Sequence, residues 1–136
     1  MADVLSLAER TACMRAVRSK DTSPEMLVRR TAHALGYRYA LHVGRLPGKP
    51  DLVFTSRRKI IFVHGCFWHS HNSARGSRMP ATNPVYWQTK RERNARRDTA
   101  NIRQLRKEGW SVMTIWECRT KNRAALATRI RRFLQS

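Results

Sequence analysis

The stretch His64-Gly65-Cys66-Phe67-Trp68-His69-Ser70-His71 holds three of the chain's five histidines and one of its three cysteines. Imidazoles and thiols gathered this closely need partners once water is removed. Metal ligation, proton transfer and contact with a phosphate supply such partners. A structural zinc knuckle or a polar loop is the plainer reading of the same residues. Three carboxylates can join this chemistry: Glu25, Asp51 directly after Pro50, and Asp98. A carboxylate oxygen holds a hard cation such as Mg2+ against a phosphate, and histidine can take a proton from water near neutral pH. Together these groups suggest a metal-dependent nuclease, although Pro-Asp alone is common in turns.

Charge supports a nucleic-acid substrate. The 136 residues carry 28 Lys and Arg against nine Asp and Glu, for a formal net charge of +19. Such a field attracts polyanions, and arginine, the commoner cation here, binds phosphate bidentately and stacks on bases. An acidic membrane surface or mere solubility explains the charge but not four tryptophans beside a histidine cluster. No apolar run approaches a membrane span, and the N-terminus lacks a signal peptide's apolar core. An odd number of cysteines argues against a disulfide framework, so a cytoplasmic protein with thiols or metal ligands is expected. The length suits one domain, residues 1–136, with 1–20 as a DNA-contacting arm.

The elements that must position these groups follow from periodicity. Residues 8–17 could form a short helix with Met14 and Val17 on one side and Arg15 among the nearby cations. Ser23 reads as an N-cap with Pro24 at N1, and Leu27, Thr31, Ala34 and Leu35 recur at helical spacing up to Gly36. Glu25 then lies in the first turn, where a carboxylate also favours the helix dipole. Tyr37, Tyr39, Leu41 and Val43 alternate with Arg38, Ala40 and His42, a half-buried strand pattern. Two apolar strands, 50–54 and 59–63, flank a tight turn, so Asp51 and residues 63–64 should meet at one end of a sheet. A polar loop leads to Asn83-Pro84, which starts a helix running to about residue 108 and stopped by Gly109. Trp87, Arg91, Asn94, Asp98, Ile102 and Leu105 share its inward face. There Asp98 should pair with an arginine or histidine, or orient a catalytic group. A strand over 110–116 and an amphipathic helix over 122–134, burying Leu126, Ile130, Phe133 and Leu134, complete an α/β layer fold.

The chain also resembles the very-short-patch repair (Vsr) DNA mismatch endonucleases, over nearly its whole length. The resemblance rests on Met1-Ala2-Asp3-Val4, Met14-Arg15-Ala16, Asp21-Thr22 with Glu25, and Leu46-Pro47-Gly48-Lys49-Pro50-Asp51. It continues through Ile61-Phe62, His64-Gly65-Cys66-Phe67-Trp68-His69, Pro80-Ala81-Thr82, Trp87, Arg97-Asp98, Gly109-Trp110 and Trp116-Glu117-Cys118. It implies a restriction-endonuclease-like core, a mixed sheet flanked by helices. It implies a Mg2+-dependent enzyme nicking double-stranded DNA 5′ of the thymine in a T·G mismatch. Asp51 would be the Mg2+ ligand, aided by the carbonyl of Val63, where the family usually has Thr. His69 would be the general base with Asp98 orienting it, His64 would lie by the scissile phosphate, and Glu25 would support the site. The second acid and the lysine of the usual nuclease pattern are absent, which leaves their work to histidines.

The resemblance further implies that Phe67, Trp68 and Trp87 form an aromatic wedge beside the mismatch, with Met14 and Val17 opposite. Core packing is the alternative for these rings. A structural zinc would take Cys66, His71 and Cys118, but its fourth ligand, a cysteine in the family, is Ser73 here. A serine hydroxyl is a poor zinc ligand, so the site holds zinc more weakly or is empty. The implied partner is T·G-mismatched duplex DNA, met as a monomer, with mismatch-repair proteins as further partners and no membrane. The same scaffold could instead carry a restriction-type endonuclease or a mismatch-binding module without catalysis.

Overall fold

A computed structural model describes residues 22–66 and 83–136. The first helix, α1 (Ser23–Ala34), starts where Thr22 adopts an extended backbone and its hydroxyl accepts the Glu25 amide at 3.4 Å. The cap therefore falls one residue before the expected Ser23, and Pro24 stays in the first turn where no helical amide is needed. At the other end Gly36 takes a φ of +94°, which only glycine adopts cheaply. The Gly36 amide reaches the His33 carbonyl and the Tyr37 amide the Ala32 carbonyl, a Schellman closure. The buried stripe is Glu25, Val28 and Ala32. The expected face of Leu27, Thr31, Ala34 and Leu35 is thus rotated: Leu27 and Leu35 pack at its flank and Ala34 is exposed.

Four strands form one sheet in the order β1-β2-β3-β4. β1 (Ala40–Leu41) and β2 (Leu52–Phe54) are antiparallel, as are β2 and β3 (Lys59–His64). β4 (Ser111–Trp116) lies parallel to β3 after a crossover through α2 (Pro84–Lys107). The last helix is α3 (Arg123–Gln135), whose N-cap Asn122 side chain accepts the Ala125 amide at 3.0 Å. The order of elements follows the sequence expectation, and the sheet is mixed and flanked by three helices among the described residues. The first strand is shorter than expected. Tyr37 and Tyr39 still alternate in burial with exposed Arg38 and Ala40, but ladder pairing covers only residues 40–41. His42 ends it by turning to φ +47°.

Alternation along β3 sorts side chains between two layers. Leu52, Phe54 and Ile61 pack with Val28 and Ala32 of α1 and Leu126, Ile130 and Leu134 of α3. Val53, Ile60 and Phe62 pack with Leu105 of α2 and Val112 of β4. His64 continues the Ile60–Phe62 side and therefore faces the layer that α2 covers. That parity sets its partner in the site.

The β2–β3 turn closes the opposite end of the sheet. A 3-10 turn (Thr55–Arg57) ends at Arg58, whose backbone is left-handed at φ +57°. The Arg58 guanidinium donates to the Glu108 carbonyl at 2.8 Å, at the end of α2, and lies over the Trp110 ring. Lys59, only 7% exposed, donates to the Phe133 carbonyl and to the main-chain oxygen and hydroxyl of Ser136 at 2.7–2.9 Å. Each cation meets the negative end of a helix and donates to main-chain oxygens there.

Candidate active site

Asp51 follows the fully buried Pro50 and sits one residue before β2. The loop before it is locked by Gly48, whose φ is +77° and whose missing Cβ would lie 3.0–3.2 Å from the Asn101 side chain of α2. A larger residue there would strain the backbone and push on α2. Asp51 Oδ2 accepts the Val63 amide at 2.7 Å across the hairpin. A charge-assisted bond of this length fixes the carboxylate beside the end of β3. The expected meeting of Asp51 with residues 63–64 is therefore realised in a specific contact.

A second carboxylate approaches from α1. Glu25 is 2% exposed, and its Oε2 lies 2.7 Å from His42 Nε2 and 3.6 Å from Arg29 Nη1. The ligand atoms of Glu25, His42 and Asp51 all lie within 4.8 Å of one another. Two carboxylates and an imidazole at that spacing fit one divalent cation, whose ligand atoms stand about 3–4.5 Å apart. Simple alternation groups His42 with outward-facing Arg38 and Ala40. Its left-handed backbone breaks that alternation and turns the ring to Glu25. No feature of the local sequence pattern announces a left-handed histidine, so the residue was missed. Its backbone stays stitched to the site, because the His42 amide donates to the Asp51 carbonyl at 3.1 Å.

His64 ends β3 with its ring 6% exposed among aromatic neighbours. Phe62 and Trp116 have ring centroids 5.4 and 5.3 Å away. His64 Nδ1 faces Asp98 Oδ2 of α2 at 3.9 Å. Asp98 thus meets a histidine, as its inward position required. The histidine it was expected to orient, His69, lies outside the described residues, as do Phe67, Trp68, His71, Ser73, Met14, Arg15 and Val17.

Parallel pairing of β3 and β4 sets His64 opposite Trp116, so Cys66 and Cys118 each follow a paired position by two residues. Neither forms a disulfide, and Cys66 is fully buried, its amide donating to Glu117 Oε1 at 3.2 Å. Burial pushes the Cys118 thiol up, and so do its hydrogen bond with Cys66 and the charge of that neighbour. Two adjacent sulfurs fit half of a tetrahedral zinc site, and a zinc ion would reverse this shift by favouring thiolates.

On α2 the expected inward face holds: Trp87, Arg91 and Leu105 are buried, and Asn94, Asp98 and Ile102 partly so. Trp87 is 8% exposed on the inward face of the helix. The aromatic ring that α2 shows to solvent is its neighbour Tyr86, 49% exposed, with Lys90 above it. Burial lowers the pKa of Arg91, an interior cation that periodicity placed but gave no role. The outer face of α2 carries exposed Arg93, Arg96, Arg97, Arg103 and Arg106, a basic stripe suited to a phosphate backbone.

Comparison with known proteins finds DNA endonucleases. A family model described as DNA mismatch endonuclease Vsr matches residues 2–75. The type II nicking enzyme V.XorIIP of Xanthomonas oryzae is 46% identical over 134 residues, 98% of both chains. The type II nicking enzyme V.NmeAIP of Neisseria meningitidis is 36% identical over 99% of this chain and 96% of its own. The DNA mismatch endonuclease Vsr of Escherichia coli is 37% identical over 93% of this chain and 80% of its own.

Proposed function

This chain belongs to the Vsr family of DNA mismatch endonucleases, and from that premise we propose that it nicks double-stranded DNA 5′ of the thymine in a T·G mismatch. The observation that carries the reading is the 2.7 Å bond from the Val63 amide to Asp51, which sets a carboxylate beside a backbone carbonyl and His64. In this reading Asp51 and the Val63 carbonyl would hold Mg2+ at the sheet end, with Glu25 supporting the site. The cation would neutralise phosphate charge and make a water easier to deprotonate. His64 lies against the scissile phosphate, kept in place by Asp98 and the Phe62 and Trp116 rings. His69 takes the proton from the attacking water. In-line attack leaves a 5′-phosphate and a 3′-hydroxyl.

The basic face of α2 holds the duplex backbone, and Phe67 and Trp68 fill the stack beside a mismatch that costs little to open. Trp87 belongs to the same wedge in this reading, and its exposed neighbour Tyr86 offers a further ring to the duplex. Zinc, where bound, is held by Cys66, Cys118 and His71. We take the protein to be a single-domain monomer that acts on DNA in the cytoplasm. Among the described residues no helix is long and apolar enough to cross a membrane.

The names of two relatives favour a second reading, nicking at a defined sequence. Labelled T·G and matched duplexes, incubated with Mg2+ or EDTA, separate the two. An EDTA-sensitive nick in the T strand of the mismatched duplex alone is expected. Equal cutting of the matched duplex points to sequence-specific nicking, and tight binding without any cut points to a binding module.

A further inference from the structure

Glu25, Asp51 and His64 have roles in the reading above, but His42 has none. Its ring is drawn out of the strand alternation by a backbone at φ +47°, a conformation that few non-glycine residues adopt. Such departures persist where surrounding contacts enforce them, and they cluster at functional sites. Here the enforcing contacts run to the site itself. The His42 amide bonds the Asp51 carbonyl, the Val43 amide bonds the Pro50 carbonyl, and the ring meets the buried Glu25.

We propose that His42 is a direct ligand of the divalent cation, giving the site a Glu25–His42–Asp51 donor set with one imidazole nitrogen. This deepens the nuclease reading and rests on it. The geometry suits ligation. The three donor atoms lie within 4.8 Å of one another, and the 2.7 Å His42–Glu25 contact need open only by tenths of an ångström to reach the roughly 3 Å between neighbouring ligands of a small cation. Two carboxylates balance a divalent charge, and the neutral imidazole adds none. The nitrogen has a chemical consequence. Imidazole suits first-row transition ions, whereas Mg2+ prefers oxygen, so the site should take Mn2+ more tightly than Mg2+.

The test uses the full chain without DNA, so its outcome is independent of nicking. Pulsed electron paramagnetic resonance of added Mn2+ reads directly bound nitrogen, and titration of the same signal reads affinity. His42→Asn tolerates the left-handed backbone, and His42→Gln keeps an amide donor within reach of Glu25. Wild-type protein should show nitrogen coupling to Mn2+, lost in both variants and kept in His64→Gln. Mn2+ binding should weaken at least about tenfold in both variants, the scale on which even outer partners of a ligand act. Circular dichroism confirms that each variant is folded. Absence of nitrogen coupling in the wild type, its persistence in folded His42 variants, or unchanged Mn2+ affinity overturns the assignment. Nicking with Mg2+ by a protein lacking the coupling leaves the nuclease reading standing. Nitrogen coupling without any nicking leaves the ligand assignment standing and removes that reading.

Discussion

The two ends of β3 use charge in opposite ways. At its start, Lys59 and neighbouring Arg58 are tied to the last carbonyls of α3 and α2. Those cations add donors at the negative ends of the helices, and their job is finished when the chain folds. At its finish, Asp51, Glu25, His42, His64 and Asp98 converge from a hairpin, two helices and the loop after β1. Carboxylates and imidazoles gathered there concentrate negative charge and proton-transfer capacity on a protein whose net charge is +19. A cation and a phosphate are what would balance them. The contrast teaches that a buried charge reads as structural when its partners are main-chain atoms of its own fold. It reads as functional when several titratable groups meet at a strand end.

That contrast can be broken by experiment, starting where the effect is largest. Chelation by EDTA should abolish nicking of a T·G duplex, and added Mg2+ should restore it. Persistent cutting in EDTA would remove the cation from the account. His64→Ala should lower single-turnover nicking by about two to three orders of magnitude, the range in which one electrostatic or proton-handling group acts. Its thermal stability should change far less. Asp98→Asn keeps a hydrogen-bonding side chain against His64 but removes the charge, so a fall of roughly tenfold is expected, about 1.4 kcal/mol. An unaffected rate would make Asp98 a packing residue.

At the other end the signs reverse. Lys59→Met should cost about 2 kcal/mol in urea unfolding, since three acceptors each lose one charged donor and a helix terminus loses its counter-charge. The folded variant should still nick T·G DNA at near the wild-type rate. Arg58→Ala should cost about 1 kcal/mol by the same logic, because its carbonyl partner can turn to water. A large loss of nicking in either folded variant would erase the distinction between the ends.

Much of this division was legible in the sequence. The alternation of Ile60, Phe62 and His64 sets which layer His64 joins, and the spacing of Trp87, Asp98, Ile102 and Leu105 turns Asp98 towards the same layer. A short hairpin forces Asp51 to meet residue 63. Three features depended on geometry that residue types do not encode. The cap at Thr22 rather than Ser23 came from which hydroxyl reached the Glu25 amide. The buried stripe of α1 runs through Glu25, because the site and the core share that helix face. His42 lay hidden because a positive φ reverses the side that alternation predicts. The aromatic pair on α2 was legible by contrast: the two rings are sequence neighbours, and periodicity tells that Trp87 faces in and Tyr86 out.

The measurement that bears most directly on the active end is nicking and binding of one T·G duplex by wild-type protein and Asp51→Ala, side by side in Mg2+. The account predicts that Asp51→Ala retains most of its DNA affinity, carried by the basic surface, while its nicking falls by about three orders of magnitude or more, the several kcal/mol that a bound cation supplies. A folded Asp51→Ala protein that nicks the duplex at a rate near the wild type would contradict it.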